Sequence, residues 1–144
     1  MAVPENARLV DWVSYARTMP RCDVVVCHGG HGTVARALAS GCAVVVVPAA
    51  GDMNENGARV DWAGVGVRLP RRLATPGAVR LAVRAALADP RLRSRARELA
   101  AWSAAHDGPA RAAGLVERLA QRTRGRSTPA LAVPTLPAAS RTTA

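Results

Sequence analysis

Val24-Val25-Val26-Cys27-His28-Gly29-Gly30-His31-Gly32-Thr33 runs from an apolar stretch through a glycine-rich turn into an Ala/Leu-rich segment. The apolar residues are continuous rather than alternating, which predicts a strand, Asp23 to Cys27, buried on both faces of a parallel sheet. Thr33 to Ser40 reads as a helix with Gly41 as its C-terminal stop. Strand, glycine turn and helix start together make a place for an anion. The first turn of a helix carries N–H groups without partners and a partial positive charge, so a phosphate docks there readily. Glycines let the backbone approach it closely, and His28 adds a side-chain donor.

The same alternation extends outward from this turn. Ala43 to Val47 predicts a second buried strand, closed by Pro48, then a helix from Asn54 to Ala63 stopped by Gly64, then a third strand from Val65 to Leu69. Thr75 is a natural N-cap, with Pro76 at the first helical position of a helix to Ala88. Pro90 interrupts it, and helices follow over Arg91–Ala105 and Ala110–Arg122. Upstream, Arg8 to Val13 reads as extended, with a strand expected at Leu9–Trp12, and Ser14 to Met19 as a brief helical turn ended by Pro20. Alternating strands and helices mean an α/β fold with a parallel sheet and C-terminal helices. Ligands of such sheets bind at the carboxyl ends of the strands, where His28, Gly51-Asp52 and the end of Val65–Leu69 all fall. The chain therefore divides into a folded domain, 1–122, and a Pro/Thr/Ala/Arg tail, 123–144, with little to bury and an expectation of disorder.

At 144 residues the chain is one domain at most, and its 49% hydrophobic content with mean hydropathy +0.04 suits a globular protein. The longest apolar run, Cys42 to Val47, falls far short of the ~20 residues a membrane span needs. Met1 to Glu5 has neither a basic nor an apolar leader region, so a cytoplasmic chain is expected. The net charge of +10 raises the question of nucleic acid, but all twenty basic residues are Arg and there is no Lys, Ile or Phe. That is the imprint of a GC-rich gene. The arginines are scattered over helix faces without aromatics to stack bases, so no nucleic-acid partner is expected. Cys22, Cys27 and Cys42 are an odd count and read as reduced thiols. With His28 and His31 they mimic a zinc set, but the spacing fits no standard finger and Cys27 ends a buried run, so core packing is the reading and no metal is expected.

A longer pattern emerges when the blocks are read together. Trp12-Val13-Ser14-Tyr15, His28-Gly-Gly-His-Gly-Thr33, Ala37-Leu38-x-x-Gly41, Pro48-x-x-x-Asp52-Met53-x-x-Asn56-x-x-Arg59-Val60 and Gly64-x-Gly66 stand in order and at spacing. This pattern resembles the nucleotide-sugar-binding half of the UDP-glycosyltransferase superfamily, most closely its bacterial macrolide- and antibiotic-type members. The resemblance is continuous from about Pro4 to Leu69 and looser to about Leu119. It implies a partial Rossmann-like domain of the GT-B plan. It also implies that Trp12 stacks on the nucleobase and that the Val13 backbone pairs with the base edge. His28 would contact the diphosphate, the turn Gly29-Gly30 and the amides of Gly32 and Thr33 would hold the same phosphates, and Asp52 would contact sugar hydroxyls. Asn56 and Arg59 match positions that shape this loop and helix.

The sequence departs from the family pattern in ways that bear on the ligand. Ser14-Tyr15 replaces the usual Pro followed by Gln or His. Arg36 stands where many members place a glutamate that accepts from ribose hydroxyls; Arg only donates, so it reaches a phosphate or leaves the ribose to other groups. Met53 replaces the glutamine of the Asp-Gln pair and removes two donors and an acceptor from the sugar site. A deoxysugar, with fewer hydroxyls to satisfy, suits Met53 better than glucose does.

The resemblance implies an inverting transfer of a hexose or deoxyhexose to a small-molecule hydroxyl, with no metal or other cofactor. The catalytic base would lie in an N-terminal acceptor domain that is not in this sequence, so His28 is assigned leaving-group stabilisation and no residue the role of base. A strand order of 3-2-1-4-5-6 would leave this chain strands three to six, with Asp23–Cys27 at an open edge. The alternative is a stand-alone nucleotide-sugar-binding module that completes its sheet with a partner chain. Each residue also has a plainer reading. Trp12 would be core, His28 a hydrogen-bonded structural histidine, Asp52 a turn residue after Gly51; His31 is expected to be exposed or packed, and His106 carries no role.

Overall fold

The computed structural model describes residues 3–124. Its order is α1 (Tyr15–Thr18), β1 (Val24–Cys27), α2 (His31–Ala39), β2 (Ala43–Val46), α3 (Met53–Trp62), β3 (Gly66–Arg68), α4 (Pro76–Ala88), α5 (Pro90–Ala105) and α6 (Gly108–Arg124), with short 3-10 turns at Met19–Arg21 and Arg71–Leu73. The sheet is β1-β2-β3 in that order, and both pairings are parallel. The α/β class and the parallel sheet follow the sequence reading. Residues through Asp107 form one unit and α6 belongs to another. Thr123 and Arg124 complete α6, while the rest of the tail from 125 on lies outside the described residues.

The continuous valine runs are continuous because both faces of the sheet are covered. On one face Val44 and Val46 pack with Val34, Ala37, Val60 and Val65; on the other Val45 packs with Ala82 and Ala86 of α4. Val44, Val45, Val46 and Val65 are wholly buried, each contributing roughly 1.5–3 kcal/mol relative to exposure. Helix α5 reaches both layers, with Leu92 against the α4-side cluster and Leu99 against the other. Thr75 caps α4 by accepting from the Ala78 N–H at 3.2 Å. Pro90, read as an interruption, is the first residue of α5, capped by Asp89. A proline that breaks one helix is compatible with the first position of the next, where no N–H is required.

Leu9–Trp12 is not a strand. The segment is irregular and its side chains are exposed, because β1 and β2 pair with each other and no described strand lies beside it. Trp12 is 79% exposed, which removes the core reading for that residue.

Among the described residues, strand β1 is an open edge of the sheet. The Asp23 and Cys27 carbonyls accept from Ala43 and Val47, so by strand alternation Val24 and Val26 turn their N–H and C=O groups outward. Val26 is 47% exposed and uncharged, the kind of edge that pairs with another chain. The full chain is expected to self-associate in light scattering. Val26→Lys is expected to shift it toward monomer with little change in melting temperature; equal association of both proteins would place the contact elsewhere.

Candidate functional site

The carboxyl ends of the three strands carry three connections that meet. The first is the turn His28–Gly30. Gly29 has φ +88, and a Cβ there would lie 2.8 Å from Val46 Cγ1 and 3.1 Å from the Met53 carbonyl oxygen. Glycine is required both for the backbone angle and for the close approach. The consequence is contact between the turn after β1 and the first residue of α3. Glycine turn and Asp52-Met53, far apart in sequence, are adjacent in space.

Asn56 fixes this contact. Its Nδ2 donates to the Gly29 carbonyl at 2.9 Å across two connections. Asn56→Ala is expected to lower stability by about 1–2 kcal/mol, since the Gly29 carbonyl is left without that partner. It is also expected to loosen the turn, seen as faster amide exchange at Gly29 and Gly30. Unchanged exchange would mean that the contact with Met53 holds the turn alone.

The start of α2 keeps donors free. The N–H groups of Thr33 and Val34 both donate to the Gly30 carbonyl at 3.1 Å, whereas those of Gly30, His31 and Gly32 have no acceptor among the described residues. The Thr33 amide, expected as an anion donor, is thus already used within the helix; Gly32 remains available. Space above Gly32 is open, with nothing within 4 Å of a Cβ built there. The His28 imidazole lies over Gly30, its Nε2 2.6 Å from where a Gly30 Cβ would stand. His28 is exposed. Exposed imidazole, open space and free helix-start amides together can accept a negatively charged group.

Asp52 is the N-cap of α3, yet its side chain makes no cap bond. Its carboxylate has no partner among the described residues and stands exposed at the second helix start of the same sheet edge. Met53 is half-buried beside Gly29. Arg36 is one turn into α2, exposed, its guanidinium without a partner among the described residues. Arg59 pairs with Glu55 along α3. Trp12 and Val13 line a separate open depression of about 470 Å³ with Asp11, Ser14 and Tyr15, and no residue of the glycine turn lines it. The structure therefore brings His28, Gly29, Gly30 and Gly32 together with Asp52 and Met53, and leaves Trp12 and Val13 on their own surface. His31 is exposed and lines an apolar groove of about 250 Å³ between α2 and α3, together with Val34, Leu38, Asn56 and Val60.

Two residues of this edge escaped the sequence reading. Arg71 Nη1 donates to the Ala49 carbonyl at 2.9 Å, and Arg68 Nη2 lies 3.4 Å from Asn54 Oδ1. Position at a strand's carboxyl end was the available signal, but a charge-rich arginine background masked it. His106, given no role, stacks on Trp102 with ring centroids 4.4 Å apart.

The thiols sit in the core. Cys42 is fully buried and donates to the Met19 carbonyl at 2.9 Å; burial pushes its thiol up, and Cys22 and Asp23 add in the same direction. Burial likewise pushes the Cys27 thiol up, partly offset by the Gly29 backbone. Among the described residues no His, Cys, Asp or Glu cluster could hold a metal, and no helix is long and apolar enough to cross a membrane.

Comparison with known proteins adds the following. The profile of the family described as "Erythromycin biosynthesis protein CIII-like, C-terminal domain" matches residues 1–119. The chain is 38% identical over 117 residues to 4'-demethylrebeccamycin synthase of Lentzea aerocolonigenes, covering 81% of this chain and 28% of that protein. It is 36% identical over 121 residues to O-mycaminosyltylonolide 6-deoxyallosyltransferase of Streptomyces fradiae, covering 83% and 29%. Among solved structures, glycosyltransferase VinC in complex with DTDP superposes with a TM-score of 0.78 at 27% identity, over 84% of this chain and 31% of that one. The chain thus spans under a third of the length of the relatives it matches.

Proposed function

This chain belongs to the erythromycin biosynthesis protein CIII-like C-terminal domain family, and on that premise we propose that it is the donor-binding portion of a glycosyltransferase. In this reading it holds a nucleoside-diphosphate sugar, with the diphosphate at the start of α2 and the sugar at the start of α3. The observation that carries it is the contact of the glycine turn with Met53: the start of α2, with its free donors, meets the start of α3, where an unpartnered carboxylate stands.

The chemistry divides accordingly. An acceptor hydroxyl attacks the anomeric carbon with inversion, the bond to the diphosphate breaks, and the nucleoside diphosphate leaves with the bonding pair. His28 and the Gly30–Gly32 amides face the negative charge that develops on the leaving oxygens, a preorganised electrostatic contribution that involves no metal. Asp52 accepts from sugar hydroxyls. Trp12 offers an exposed indole face to the base, with the Val13 backbone at the base edge, and Arg36 a free guanidinium near the phosphates. Proton removal from the acceptor falls to a domain outside this sequence, so the chain alone transfers no sugar. Residues 1–122 would make up this donor domain.

Met53 favours a deoxysugar, which agrees with the 6-deoxyallosyl transfer in the name of one relative. Calorimetric titration of the full chain is expected to give tighter binding of a TDP-deoxyhexose than of UDP-glucose. The reverse order would remove Met53 as a selector, and absence of any nucleoside-diphosphate binding would remove the donor reading itself.

The open edge of β1 supports a second reading, a donor-binding module whose sheet is completed by a separate chain. Both readings require the same ligand. They part on whether an acceptor domain covalently joined to this one, or a separate partner, is needed for transfer.

A further inference from the structure

We propose that Arg71 is the positioning residue of the sugar subsite: from the connection after β3 it pins the Ala49–Asp52 turn and so sets where the Asp52 carboxylate stands. The inference rests on the donor-binding reading and names what holds its sugar side.

The turn cannot hold itself. Pro48 before it is wholly buried, but Ala49 and Ala50 offer only methyl groups, Gly51 none, and residues 49–52 are exposed. Gly51, at φ +55, places the residue type with the widest conformational freedom directly before Asp52. Met53 and Asn54 donate to the Ala50 and Gly51 carbonyls at 3.2 Å each, and the Asn56 N–H to the Asp52 carbonyl at 2.9 Å. Those bonds tie the Asp52 end of the turn to α3, but they leave the Ala49 end, and with it the tilt of the turn against the sheet, without a backbone partner among the described residues. That requires a bond from outside, and among the described residues the side chain that reaches 49–52 is Arg71, through the Ala49 carbonyl at 2.9 Å.

Arg71 is itself placed by a short 3-10 turn, with Leu73 N–H bonded to the Pro70 carbonyl at 2.8 Å. Next to it the Arg68 stem covers Gly57, where a Cβ would lie 3.3 Å from Arg68 Cγ. On the opposite flank Met53 and Asn56 grip the glycine turn. The phosphate side is therefore fixed by α3 and β1, and the sugar side by α3 at Asp52 and by the connection after β3 at Ala49. Since the Asp52 carboxylate makes no bond of its own, its position is inherited from this backbone alone. A turn released from Arg71 spends only part of its time with Asp52 correctly placed, and apparent affinity falls by that fraction.

The test uses the full chain with Arg71→Ala and Arg71→Lys. Wild type and variants are titrated with a nucleoside diphosphate and with its hexose conjugate, and amide exchange is followed in the free protein. Arg71→Ala is expected to leave nucleoside-diphosphate affinity within about twofold while weakening the sugar conjugate about three- to tenfold. Exchange at Met53 and Asn54 should quicken by a similar factor while the Thr33 and Val34 amides do not change. Arg71→Lys, which keeps a positively charged donor group, should restore most of both. Equal loss for the two ligands, an unchanged conjugate affinity, or unchanged exchange at Met53 and Asn54 would each overturn the proposal. A wild type that binds neither ligand would instead overturn the donor reading, and the exchange measurement would still decide whether Arg71 holds the turn.

Discussion

Gly66→Ala is expected to cost about 3 kcal/mol or more and to lower the melting temperature by roughly 10–20 °C. A Cβ at Gly66 would lie 1.9 Å from the Val44 carbonyl oxygen and 2.8 Å from Val60 Cγ1. The first obstacle is backbone, on the central strand, so no rotamer change relieves it. Gly66 is the register partner of Val44, and moving β3 away weakens the ladder and exposes Val65. Set against a typical domain stability of about 5–15 kcal/mol, that loss takes much of the total. Gly77→Ala is the control: nothing lies within 4 Å of a Cβ there, and in the first turn of α4 the change is expected to be neutral or stabilising by less than about 1 kcal/mol. Thermal melts of the two proteins check the pair, and equal melting temperatures would mean that β3 shifts freely.

His28→Ala is expected to reduce nucleoside-diphosphate affinity roughly tenfold or more, since it removes a side-chain donor aimed at a charged group. Its side chain is exposed and makes no bond among the described residues, so the melting temperature should stay near wild type. Gly30→Ala offers an independent approach. A methyl there meets the His28 ring at 2.6 Å, and the ring is a movable side chain rather than fixed backbone. The fold should survive while the imidazole is displaced, and affinity should fall in the same direction. Calorimetry with both variants decides: unchanged affinity in His28→Ala would remove the histidine from the phosphate site, whatever the fold.

Much of this was legible because the signals were local. The valine runs over 24–26 and 44–47, Gly41 and Gly64 at the helix ends, and Thr75-Pro76 each announce an element within a few residues. The helices α2 and α3 nevertheless begin earlier than expected, at His31 and Met53, because histidine, glycine and methionine are weak start signals and the cap is made by backbone bonds to Gly30 and Ala50. Leu9–Trp12 was apolar enough for a strand, but a strand exists only with a neighbour. The site divides the same way. His28 and its glycines could be found from their order in the chain. The Asn56–Gly29 and Arg71–Ala49 bonds could not, because their acceptors are backbone carbonyls, which every residue carries and no sequence marks.

The sheet order repeats the chain order, and the registers Val24↔Ala43 and Val44↔Gly66 join positions about twenty residues apart. Each strand therefore finds its partner by closing one short loop with a helix already inside it, and no strand waits for a distant segment. Loop-closure entropy grows only slowly with length, so the search is inexpensive at each step. The unit can accordingly assemble in the direction of synthesis, β1 with β2 and then β3, and the fully buried central strand would be the last to gain protection on both sides. Pulse-labelling during refolding would record that order as Val44 and Val46 amides, bonded toward β3, becoming protected after those of Val45 and Val47, bonded toward β1.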